Sequence, residues 1–222
     1  MGAVSATPPV EPAPSRYVMP SAASAPGHGC LAAGGDLAPG TILAAYRQGI
    51  FPWPAPDGRL LWWSPDPRAI LPLDGLHVSH SLARLRRQER YRITRDRDCA
   101  GVIAGCAERT EGTWITPAMR RAYERLHALG WVHSVEAWDA AGRLVGGVYG
   151  VAIGRFFAAE SKFHRASNAS KLALAALVEW LAREGFELLD VQLATDHLRS
   201  LGVIEIPRAE YLQRLGAAIG TG

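Results

Sequence analysis

Residues 133–194 switch between two side-chain periods, and that switch constrains the fold more than any other feature. HSVEAWD (133–139), RLVGGVYGVA (143–152) and FFAAESKF (156–163) are separated by turns containing Gly142 and Gly154. They read as three consecutive antiparallel strands. SKLALAALVEWLAREG (170–185) then reads as a helix stopped by Gly185, and FELLDVQLA (186–194) as a returning strand. A meander, a long helix and a further strand make a mixed α+β sheet.

Upstream, LAPGTILAAYRQGI (37–50) reads as a short helix ending at Gly49, and LLWW (60–63) and RAILPL (68–73) as short strands. VSHSLARLRRQE (78–89) reads as a helix capped by Ser79 or Ser81. YRITRD (91–96) is a candidate strand and CAGVIAGCAER (99–109) a candidate helix. In TWITPAMRRAYERLHALG (113–130), Thr116 suits the N-cap, Pro117 the first turn and Gly130 the stop. GIFPWPAPDGRLLWWSPDPRAIL (49–71) sets Trp53, Trp62 and Trp63 among five prolines. Those prolines make a stiff, irregular main chain. Such a segment either walls a pocket or plugs a junction between two domains.

The first 26 residues, rich in Pro, Ala and Ser, read as a disordered arm. They lack the charged and apolar regions of a secretory signal. No apolar run approaches the roughly 18 residues that span a bilayer. Cys30, Cys99 and Cys106 form no CxxC pair, which points away from disulfides and zinc and toward a reducing cytosol. The net charge of +3 is unevenly placed. Residues 84–97, RLRRQERYRITRDR, hold seven arginines against Glu89 and Asp96. That is either a solvated face or a phosphate-binding patch, since Arg forks match phosphate geometry.

Three groups carry candidate chemistry. Asp190 and Gln192 share one face of an otherwise apolar strand, and a buried carboxylate needs a partner or access to water. Glu160 poses the same problem on another strand; if both lie in one sheet, the two carboxylates flank one site. Lys162, His164 and Arg165 in KFHRASNASK precede a helix whose cap is Ser167 or Asn168, a setting that suits phosphate. The sequence has no GxxxxGK[ST], no GxSxG and no HExxH, which disfavours a P-loop ATPase, a serine hydrolase and this zinc-protease motif.

The meander–helix–strand order resembles the second half of the acyltransferase core of the Gcn5-related N-acetyltransferases. The combination GGDLAPGTILAAYRQGIFPWP, LLWWSPDPRAIL, EGTWITPAMRRAYERLHALGWVHSVEAW, LVGGVYGVAIGRFFAAESKF, SNASKLAL, LLDVQL and HLRSLGVIEIPRAEYL is far more specific. In that order, over residues 29–215, it resembles the bacterial leucyl/phenylalanyl-tRNA–protein transferases.

The resemblance implies a cytoplasmic aminoacyltransferase. Such an enzyme moves Leu or Phe, less readily Met, from aminoacyl-tRNA to proteins beginning with Arg or Lys, marking them for degradation. It needs no ATP, metal or CoA, because the ester is already activated, and a monomer suffices. The implied organisation is an arm (1–26), a small N-terminal domain with the Trp/Pro loop (27–72) and an acetyltransferase-like catalytic domain (73–222). Asp190 and Gln192 fall at the reacting centre, where they either accept a proton from the attacking amine or only orient the substrates. Glu160 falls beside the α-amino group of the transferred residue.

The implied apolar socket includes Val148, Phe157, Leu177 and Leu189, although Leu189 points opposite Asp190. Val148 departs from a bulkier family residue, which would shift preference toward larger side chains. Trp53 and Trp114 fall where the terminal adenosine enters, and Trp62 and Trp63 pack the junction. Arg84, Arg86, Arg87, Arg90, Arg92 and Arg165 become the tRNA contacts. Two rivals remain: a CoA-dependent acetyltransferase, whose Gly-rich loop is missing from HRASNASK, and a tRNA- or degron-binding module without catalysis.

Overall fold

The computed structural model describes residues 8–108 and 113–220. Strand β1 (Cys30–Ala33) leads to helix α1 (Pro39–Tyr46), then β2 (Phe51–Pro52) and β3 (Leu61–Trp63). The three strands form a small antiparallel sheet in the order β1-β3-β2. The chain continues through β4 (Arg68–Ile70), α2 (His80–Arg87), β5 (Arg92–Arg95), α3 (Cys99–Ala107) and α4 (Pro117–Ala128). Next come β6 (Val132–Trp138), β7 (Leu144–Ile153), β8 (Phe156–His164), α5 (Ala169–Arg183) and β9 (Leu188–Gln192). The last elements are α6 (Asp196–Arg199), β10 (Ile204–Ile206) and α7 (Arg208–Ile219).

The large sheet runs β10-β4-β9-β8-β7-β6-β5. All its pairs are antiparallel except β8 with β9, because α5 carries the chain back across the sheet before β9 begins. The expected α+β fold with a mixed sheet is therefore present. Strand alternation sorts the side chains between two layers. Tyr149, Phe156 and Leu188 face α1, α3 and α4, packing with Tyr46, Ile103 and Tyr123. Val148, Phe157 and Leu189 face α5, packing with Leu174, Leu177 and Leu181.

Local signals set the helix ends. The Thr116 hydroxyl accepts from Met119 N at 3.2 Å and the Ser79 hydroxyl from Leu82 N at 3.2 Å. Helix α1 ends three residues before Gly49, which turns the chain with φ of 75°. A Cβ at Gly146 would lie 2.7 Å from that of Ala169, so this glycine lets α5 start directly against β7. Helix α3 ends at Ala107, and Arg109 of its expected span lies outside the described residues.

Two placements differ from expectation. Strand β4, grouped by sequence with the small N-terminal domain, lies inside the large sheet between β10 and β9. Ile42, Leu43, Phe51 and Trp62 join the same core as α3 and α4, so the two parts share one interior. The composition of residues 1–26 suggested a disordered arm, yet the described part, from residue 8, lies along the body. Val10 N donates to Leu129 O at 2.8 Å, and Trp131 Nε1 donates to Val10 O at 2.8 Å. Glu11 accepts both guanidinium donors of Arg47 at 2.8 Å, and Arg208 Nη2 donates to Ala25 O at 2.6 Å. Prolines leave the segment little freedom to lose on docking. Residues 1–7 lie outside the described residues.

Candidate active site

The site is built where β8 and β9 run side by side. Their register pairs Ala158 with Asp190, and Glu160 stands two residues farther along β8, where its register with β7 shifts. Both carboxylates thus belong to adjacent strands of one sheet, as expected for groups flanking one site.

Asp190 is fully buried against Arg68, which is fully buried too. Asp190 Oδ1 accepts from Arg68 Nε at 2.9 Å and from Gln192 N at 2.9 Å. Asp190 Oδ2 accepts from Arg68 Nη2 at 2.7 Å and from Tyr211 OH at 3.1 Å. Each oxygen has two donors, which uses the acceptor capacity of an ionised carboxylate. The Arg68 guanidinium lies between the rings of Phe51 (4.8 Å) and Tyr211 (4.4 Å), and Nη1 donates to Gly49 O at 3.1 Å. Gln192 has φ of 61°, so its side chain leaves the strand alternation. With its amide turned to suit its neighbours, Nε2 donates to Val191 O at 3.1 Å and Ala159 O at 3.0 Å.

Glu160 has a different setting. Its Oε2 accepts from Tyr123 OH at 2.9 Å, and Tyr123 OH lies 2.8 Å from Tyr46 OH. Its Oε1 is buried and has no hydrogen-bond partner among the described residues. Burial pushes the Glu160 carboxyl up to about 7; the hydroxyls of Tyr46 and Tyr123 oppose that shift, and the charge of Asp190 adds to it. Burial also holds both tyrosines well above their ordinary range, so they stay protonated donors. A buried carboxyl short of a donor and held near 7 makes Glu160 a candidate contact for a ligand or a water.

Trp53 and Trp114 stack with centroids 5.2 Å apart and planes 24° apart. Trp63 Nε1 donates to Trp53 O at 3.0 Å, and Phe51 meets the Trp53 edge at 6.5 Å. Trp62 is buried, with Nε1 donating to Gly34 O at 2.9 Å. The Trp/Pro segment therefore supplies both a buried plug, Trp62, and an exposed aromatic surface, Trp53.

Comparison with known proteins settles the family. Residues 70–216 match the model of the leucyl/phenylalanyl-tRNA protein transferases, and residues 35–66 match that of their N-terminal domain. A leucyl/phenylalanyl-tRNA–protein transferase of Edwardsiella ictaluri (strain 93-146) is 53% identical over 189 residues, covering 85% of this chain and 78% of that protein. One from Pseudomonas fluorescens (strain Pf0-1) is 53% identical over 193 residues, covering 84% and 85%. The chain belongs to this family. It is an aminoacyltransferase that moves Leu or Phe from aminoacyl-tRNA to protein. Among solved structures, a tandem GNAT protein from the clavulanic acid biosynthesis pathway aligns over 91% of this chain and 58% of its own. Its identity is 16% and its TM-score 0.33, too distant to bear on function.

The remaining residues singled out from sequence and resemblance fall in three places. Val148, Phe157, Leu177 and Leu189 are brought together, buried in one cluster beneath α5 with Leu174 and Trp180. Arg84, Arg86, Arg87, Arg90 and Arg92 are exposed along α2 and the start of β5. Arg86 is bridged to Glu179 of α5, and Arg92 lies over Trp138 at 6.0 Å. Arg165 stands apart from that group, with Nη2 2.6 Å from Glu108 Oε2. Sequence reasoning missed Arg68, Tyr46, Tyr123 and Tyr211. Arg68 sits in the quoted WWSPDPR, but nothing local marks it as the partner of Asp190.

Proposed function

We propose that the protein transfers Leu or Phe, and less readily Met, to proteins whose first residue is Arg or Lys, marking them for degradation in the cytoplasm. A monomer carries the reaction. The observation that supports this reading is the unpartnered Oε1 of Glu160. A carboxylate there accepts a hydrogen bond from the α-ammonium of the residue being moved, and that cation in turn favours the charged form of Glu160. The side chain of the same residue passes where β8 and β9 part, beyond Ala158 and Asp190, to reach Val148, Phe157, Leu177 and Leu189 on the opposite, α5-facing side of the sheet. An apolar socket separates similar side chains by only about 1–3 kcal/mol, which fits tolerance of Leu, Phe and Met.

The terminal adenosine stacks on the Trp53–Trp114 platform, a contact worth about 1–3 kcal/mol per base. The acceptor α-amine, in its neutral form, attacks the ester carbonyl. A C–N bond forms, the ester C–O bond breaks, and the departing ribose oxygen takes up a proton. Asp190 serves this step as a strut: its four donors hold Arg68 and the end of β9, and so fix Gln192. Orientation of this kind supplies large rate effects by itself. The exposed Arg84, Arg87, Arg90 and Arg92 attract the tRNA backbone without reading sequence.

The test is transfer of radiolabelled Leu from leucyl-tRNA to a peptide beginning with Arg, in the absence of ATP and CoA. Transfer is expected with the native protein and lost in Glu160→Gln. Binding of leucyl-tRNA without transfer would sink the reading in favour of a binding module. Native rates in Glu160→Gln would remove Glu160 from its role.

A further inference from the structure

The paired register of β8 and β9 ends at Ala158 and Asp190, yet β8 continues to His164. A cleft of about 640 Å³ lies along this outer part of β8, and three elements send basic groups to it. Lys162 and His164 come from β8, Lys171 from the first turn of α5 and His197 from α6. Among the described residues the lining holds one acid, Glu108, which is bound to Arg165. Burial and then the charges of Lys162, Lys171 and His164 hold His197 below its ordinary value. Helix α5 opens into the same cleft without a side-chain cap: Asn168 sits at φ of 62° and makes no capping bond.

Lys162 and Lys171 bring positive charge to this cleft, and an anion bound there favours the charged form of His197. The proposed acceptor has a cationic first residue, which this cleft repels. The donor is a polyanion. Lys162 and His164 follow Glu160 along the strand by two and four residues, or roughly 7 and 13 Å. That is the reach of the first phosphates beyond an adenosine whose ester lies at Glu160. We propose that this cleft, through Lys162, His164, Lys171 and His197, binds backbone phosphate at the 3′ end of the donor tRNA. The tRNA strand leaves the reacting centre along β8 toward the start of α5, and the acceptor protein approaches from elsewhere. The inference rests on the aminoacyl-tRNA reading given above.

The experiment compares two donors, leucyl-tRNA and the phosphate-free nucleoside leucyl-adenosine, by equilibrium binding and by transfer at several salt concentrations. The protein is tested as native and as the double variant Lys171→Ala/His197→Ala, with the distant charge loss Arg16→Ala as control. The double variant is expected to bind leucyl-tRNA roughly tenfold more weakly, with its salt slope reduced by about 1. Its binding of leucyl-adenosine and its kcat should match the native protein, and Arg16→Ala should change neither. An unchanged affinity and salt slope for leucyl-tRNA overturns the proposal. An equal loss for leucyl-adenosine also overturns it, because the residues then act on something other than phosphate. Absence of transfer from leucyl-tRNA by the native protein would bring down the underlying reading, and this inference with it.

Discussion

Asp190 and Glu160 stand on neighbouring strands, one saturated with donors and the other left short of them. Asp190 has a bidentate arginine, a tyrosine hydroxyl and a main-chain N–H on its two oxygens. Glu160 has one tyrosine on Oε2 and, among the described residues, no donor on Oε1. Burial alone therefore does not identify a working group. A buried carboxylate with its full set of donors is a structural ion, costly to break. A buried carboxylate missing a donor holds free energy that a ligand can release.

Substitution at Asp190 gives the largest expected effect. Asp190→Ala leaves the Arg68 charge buried with no carboxylate, and breaking such a pair costs about 3–5 kcal/mol. Denaturant unfolding should show that loss, and activity should fall with the folded fraction. A stability change below about 1 kcal/mol with transfer abolished would place Asp190 at the chemistry instead.

The opposite sign is expected at Glu160. Its folded value of about 7 lies above the ordinary 4.5, so the folded state disfavours the charged form. That cost is absent below pH 4.5, grows as the pH rises and is complete above about 7. Glu160→Gln removes it, and should be more stable than the native protein by up to about 3 kcal/mol at pH 8 while matching it near pH 4. Thermal melts of both proteins across that range are the check. A variant less stable at pH 8 would mean that the carboxylate is satisfied in a way its orphaned oxygen does not suggest.

What the sequence made legible follows the same division between local and distant causes. The meander, the long α5 and the caps at Ser79 and Thr116 depend on residues within a few positions of one another, and they were readable. Asp190 and Gln192 were conspicuous as polar groups in an apolar strand. Their setting was not, because Arg68 lies 122 residues from Asp190 and no periodicity links the two. Tyr46 and Tyr123, 77 residues apart, meet only once α1 and α4 pack together. Composition misjudged residues 8–26 for a related reason. Proline-rich, weakly apolar chain has no core of its own, but backbone bonds to Leu129 and Trp131 and the Glu11–Arg47 pair fasten it to one already formed.

The smallest expected effect tests how the tyrosines tune Glu160. The hydroxyls of Tyr46 and Tyr123 pull its carboxyl down while burial pushes it up. Tyr123→Phe removes the donor to Oε2 and leaves the Tyr46 hydroxyl without its neighbour at 2.8 Å, while the ring remains in the core. The expected cost in stability is about 1 kcal/mol, the usual net worth of one hydrogen bond. The titration is the sharper readout. Carbon-detected NMR of the Glu160 carboxyl should place its midpoint higher in Tyr123→Phe than in the native protein, since a donor to the charged form has gone. The pH at which transfer reaches half its maximum should move upward with it. A midpoint that stays put would mean that burial alone sets Glu160, and the tyrosine pair would then be packing rather than tuning.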